Sequence, residues 1–96
     1  MAKIDINTAE VKKQSALLKD ASAQLIKGTV RPLTEVNERL ASEWTGDSAR
    51  AFSGYMDELI SLLQSNADDI GEIAGFLNDA CISIENADQQ IKSKLL

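Results

Sequence analysis

Apolar residues recur at steps of three and four through nearly the whole chain, the spacing of a helix with one buried side. Val11, Leu18 and Leu25 lie seven apart, and Leu33, Val36, Leu40 and Trp44 carry the stripe onward. Asn7 or Thr8 is placed to cap this first helix by accepting a backbone N–H from its opening turn, with Glu10 adding favourable charge there. Ahead of it Ile4, Asp5 and Ile6 alternate as a short extended lead-in. Gly28 and Pro32 interrupt the interval between Leu25 and Leu33. Proline removes one helix hydrogen bond and crowds the preceding turn, so the pattern predicts one helix over about 8–43, kinked or briefly broken near 28–32.

Trp44, Thr45, Gly46 and Asp47 are the strongest punctuation in the chain. Gly46 tolerates positive φ and ends a helix readily; Asp47 and Ser48 are good caps for the next. A turn over 44–47 is short, so the second helix, over about 48–92, returns antiparallel to the first. Its heptad is regular. Met56, Leu63, Ile70, Leu77, Ile84 and Ile91 form one row, and Phe52, Leu59, Asn66, Ile73, Ala80 and Ala87 a companion row. A third row, Ile60, Ala67, Ala74 and Cys81, widens the apolar side. The two main rows suit the facing helix of the same hairpin, and the extra width predicts a partner. Leu17, Ala21 and Ile26 broaden the first helix in the same way. The fold class expected is therefore all-α: an antiparallel hairpin that dimerises into a four-helix bundle, with Phe52, Met56, Leu59, Leu63, Ile70, Ile73 and Leu77 in its packing and dimer seams. Gly71 and Gly75 add a small-xxx-small spacing, which amid Asp68, Asp69 and Glu72 signals a close soluble helix or a flexible point rather than a membrane contact.

Composition narrows the function. At 96 residues the chain is one domain. Cys81 is the single cysteine and histidine is absent, which argues against an internal disulfide, the usual metal sites and the usual general base. No enzyme activity, cofactor or small-molecule substrate is expected. The net charge of −5, without a basic stripe, disfavours nucleic acid and anionic membranes. The N-terminal run is broken by Asp5 and Asn7 before it resembles a secretory signal, and no stretch is long and apolar enough for a membrane span.

The Trp44-Thr45-Gly46 turn, near the centre of an acidic chain of about this length and between two amphipathic helices, resembles the WXG family of ESAT-like type VII (ESX) secretion substrates. The resemblance covers the whole chain. It implies a hairpin that pairs with itself or with another WXG-type or toxin helical domain. It also implies export of the folded dimer by the type VII secretion ATPase, without a cleaved signal peptide. Mycobacterial members carry a Tyr-x-x-x-Asp/Glu signal after the second helix; here the sole tyrosine, Tyr55, lies early in that helix, followed four residues on by Leu59. Ile84, Asp88, Ile91 and Leu95 instead match the C-terminal spacing of low-GC Gram-positive members, which points to a Bacillota-type protein.

Each singled-out residue also has a plainer reading. Trp44 packs the hairpin end and Gly46 permits the turn whether or not the secretion ATPase reads them. Asp88 is an export acid or a solvated surface charge. Cys81 is a small buried thiol beside the seam or an intermolecular disulfide after export. The acids Asp57, Glu58, Asp68, Asp69 and Glu72 lack calcium-loop spacing and read as a solvated face. Three functions compete: an exported effector or virulence/competition factor acting as a homodimer, an escort for a larger type VII toxin, and a cytoplasmic adaptor unconnected with secretion.

Overall fold

The computed structural model describes residues 6–95. Ile4 and Asp5 of the expected lead-in lie outside them. Helix α1 (Thr8–Leu25), a π-helical turn (Ile26–Val30), α2 (Arg31–Glu43) and α3 (Asp47–Leu95) follow in order. There is no strand among the described residues. The α1–π–α2 rod runs antiparallel to α3: Lys12 meets Glu85, Ser15 meets Ala74, Ser22 meets Ala67 and Asn37 meets Asp57. The molecule is a narrow rod of 75 × 22 × 16 Å.

Local chemistry accounts for each end. The Asn7 side chain accepts the Glu10 N–H at 3.1 Å and caps α1. At the other end the Trp44 N–H still reaches the Leu40 carbonyl at 2.8 Å while Trp44 itself turns extended. Gly46 then takes φ +112°, a region that favours glycine, and its carbonyl accepts from Arg50 to open α3. Asp47 sits in the first turn of α3 and pairs with Arg50.

The π turn solves the proline problem. Pro32 has no N–H to continue an α ladder, and its ring would press on the carbonyl four residues back. Widening the turn lets the Arg31 N–H reach Ile26 five residues back, so the rod passes through without unwinding. The Thr34 hydroxyl donates to the Val30 carbonyl at 2.8 Å just beyond. One extra residue is taken up, and the inward face shifts by one position. Before the turn the inward positions include Ser15, Leu18, Ser22 and Leu25; after it they are Val30, Leu33, Asn37 and Leu40. Val36, expected in the stripe, is therefore turned outward at 49 % exposure, while Asn37 is 8 % exposed. Asn37 donates to Asp57 at 2.9 Å, but its buried Oδ1 has no partner among the described residues.

The seam on α3 also differs from the expected one. Met56, Leu63, Ile70 and Leu77 do turn toward the first rod, but their companions there are Ile60, Ala67, Ala74 and Cys81. Ala67 is fully buried, and Ala74 and Cys81 nearly so. The Phe52–Leu59–Ile73 row is left outward, with Phe52 and Ile73 exposed and Leu59 half-buried. The reason is size. Small residues let the helices approach closely enough for the Ser15 and Ser22 hydroxyls to donate across the seam to the Ala74 and Ala67 carbonyls, each at 2.6 Å. Large side chains in that row would hold the rods apart.

Candidate functional site

Three features of the hairpin are left without a covering neighbour among the described residues. The first is the bend. Trp44 and Phe52 stack at a tilt of 48° with ring centroids 5.7 Å apart, holding the end of α2 against the start of α3. Trp44 nevertheless remains substantially exposed. Beside it, Ala41, Gly46, Ala49, Arg50 and Ser53 line a shallow cleft of about 220 Å³. The left-handed Gly46 makes the sharp reversal possible, and the reversal leaves Trp44 partly open to the outside.

The second feature is an apolar stripe along the outside of α3. Phe52, Leu59 and Ile73 form one edge; Tyr55, Leu62 and Phe76 form the other. At about 100° per residue, these two rows lie roughly 100° round the helix from the rows that face the first rod. Phe76 is 74 % exposed. Ile73, Phe76, Leu77, Asp69 and Glu72 border a wide, shallow depression of about 570 Å³ in this stripe. Leu17 on α1 and Val36 on α2 add exposed apolar side chains to the other rod. Of the residues expected in the packing and dimer seams, Met56 is buried against the first rod, and Leu63, Ile70 and Leu77 are half-buried there; Phe52, Leu59 and Ile73 lie on the stripe. Leu62 and Phe76 carry no signal of their own in the sequence, and Tyr55 stands out there only as the sole tyrosine. They too fall on a seven-residue row, hidden because Asp69 interrupts it.

The third feature is the C-terminal end of α3. Lys12 near the start of α1 pairs with Glu85 at 2.8 Å. The Lys12 ammonium and the Thr8 hydroxyl beside it hold the Glu85 carboxyl below its ordinary range. Beyond this link every residue from Asn86 to Leu95 is exposed. Ile84 is half-buried at the link, while Asp88, Ile91 and Leu95 project from the uncovered stretch. The four share the phase of the inner seam, continued past the end of the first rod.

No cluster of His, Cys, Asp or Glu among the described residues could hold a metal ion, and Cys81 is buried on the seam. No helix among the described residues is long and apolar enough to cross a membrane. What the molecule offers is surface: a bend with an exposed indole, an apolar stripe and an uncovered helix end.

A family profile described as "WXG100: Proteins of 100 residues with WXG" matches residues 3–89. No curated protein matches the chain. WXG proteins are small helical proteins secreted by type VII systems, are not known as enzymes, and generally form dimers with partner WXG proteins. Since the match spans both rods and the Trp44-Thr45-Gly46 bend that joins them, the chain belongs to the WXG100 family.

Proposed function

We propose that this chain is a non-enzymatic protein exported folded and paired with a second WXG-type hairpin, without a cleaved signal peptide, to act as an effector or competition factor outside the cell. The observation that carries this reading is the pairing of the family match with the exposed Trp44 at the bend. At 42 % exposure the indole is open to a binding protein even while it packs on Phe52. In this proposal the whole of residues 1–96 is one WXG-type hairpin. The outer stripe of α3, from Phe52 to Phe76, is its pairing face, and closing that face against another hairpin makes a four-helix bundle. The secretion ATPase reads the Trp44–Gly46 bend together with Ile84, Asp88, Ile91 and Leu95. That C-terminal spacing supports a Bacillota-type origin for the chain.

Export tests it. The chain is followed in cells and culture medium with the type VII ATPase intact or deleted, beside Trp44→Ala and Asp88→Asn variants checked for intact folding. Appearance in the medium only with the ATPase, and retention of both variants, is the expected result. Retention of the unaltered chain while another type VII substrate leaves the same cells defeats the proposal. Normal export of both variants removes the roles given to the bend and the C-terminal segment.

A further inference from the structure

The charge along α3 bears on which hairpin completes the bundle. From Ala51 to Ile91 the chain carries eight acidic residues and no lysine or arginine. The acids are not spread evenly round the helix. Glu58, Glu72 and Asp79 fall on one seven-residue row that edges the apolar stripe on the side away from the first rod, and Asp69 interrupts the stripe itself. All four are exposed. The depression beside Ile73 and Phe76 is bordered by Asp69 and Glu72. In paired helices, charges flanking an apolar row choose the partner, and like charges across the row oppose pairing.

A second copy offers little to answer this border. Between Thr8 and Glu43 the first rod holds six bases interleaved with five acids, a net of +1, and its Lys12 is already paired with Glu85 within the chain. A second α3 would bring another all-acidic border. We infer that the apolar stripe of α3 is built for a different chain, one whose packing helix carries lysine or arginine beside its own apolar row. This rests on the stripe being the pairing face, as proposed above, and adds the chemistry of the partner. It favours a heterodimer over self-pairing.

The test uses the full chain and a charge-reversed full chain, Glu58→Lys, Asp69→Lys, Glu72→Lys and Asp79→Lys together, as a stand-in for a basic partner. All four sites are solvent-facing, and lysine is a good helix former, so the variant should keep the helical content of the parent by circular dichroism. Sedimentation at low and at high sodium chloride then compares three samples: the parent alone, the reversed chain alone, and the two mixed. At low salt the mixture should associate at least about tenfold more tightly than the parent with itself. Added salt should weaken the mixed pair and strengthen the parent's self-pairing, since screening removes attraction in one and repulsion in the other. Self-association of the parent that equals the mixture, with no opposite salt trends, overturns the inference and leaves the pairing face standing. No association in any sample, or mixed pairs that survive Ile73→Asp with Phe76→Asp in both chains, overturns the pairing face and this inference with it.

Discussion

The Ser15 hydroxyl donates to the Ala74 carbonyl at 2.6 Å across 59 residues of chain, and Ser22 repeats the contact seven residues on, with Ala67 seven residues back. Two serines on one rod and two alanines on the other thus lock the antiparallel register. The helices come this close because Ala67 and Ala74, both buried in the seam, present almost no side chain; a Cβ added at Gly71 would make ordinary contact, 3.4 Å from the Ser22 hydroxyl oxygen. This relationship decides which side of α3 turns in, and therefore which side is left for a partner.

A large residue in the seam should be costly. Ala67 is fully buried, and Ala67→Leu would push the rods apart and strip both serine contacts, for a loss of about 1–3 kcal/mol. Ser22→Ala removes one hydrogen bond and should cost about 1 kcal/mol. Chemical denaturation of the variants against the parent, at one protein concentration, checks the order: Ala67→Leu worst, Ser22→Ala milder.

The heptad on α3 was legible from the chain alone, and so was the bend, because Trp44, Gly46 and Asp47 are each strong local signals. The choice among three apolar rows was not. Bulk favours the Phe52 row as the seam, yet close packing selects the row of small residues. The signal lay in matching periods, Ser15 and Ser22 against Ala67 and Ala74, visible only once both rods are placed side by side. The phase shift after Gly28 was hidden for a different reason. Pro32 predicts trouble in the helix, but an α-helix that kinks and one that takes up a residue in a π turn have the same local sequence. Only the second outcome buries Asn37 and exposes Val36.

Two glycines should respond in opposite directions. Gly46 sits at φ +112°, so Gly46→Ala should cost about 1–3 kcal/mol although the space around it is open. Gly75 lies within α3 with nothing within 4 Å of an added Cβ, and Gly75→Ala should raise stability by up to about 1 kcal/mol. Thermal unfolding of each variant reads both signs.

Acid should loosen the far end of the hairpin. The folded pKa of Glu85 is depressed by Lys12 and Thr8, so the charged carboxylate favours the folded state. That contribution is fully present above the ordinary value of 4.5 and is lost as the pH falls below it through the folded pKa. Carbon-detected NMR titration should place Glu85 below its ordinary value of 4.5. Lys12→Gln should return it toward 4.5, and Glu85→Gln should flatten the acid limb of the stability curve at neutral pH's expense.

The outer stripe should be dispensable to the lone hairpin and essential to the pair. Ile73 and Phe76 are mostly exposed, so Ile73→Ser with Phe76→Ser removes little buried apolar area and should change the stability of the isolated chain by under about 1 kcal/mol. In a bundle the same two side chains would be covered, each contributing roughly 1.5–3 kcal/mol of burial. The double variant should therefore keep its helical content while its pairing with a companion hairpin weakens by at least about a hundredfold. Matched losses in both measurements would instead make these residues part of the hairpin's own fold, which their exposure argues against.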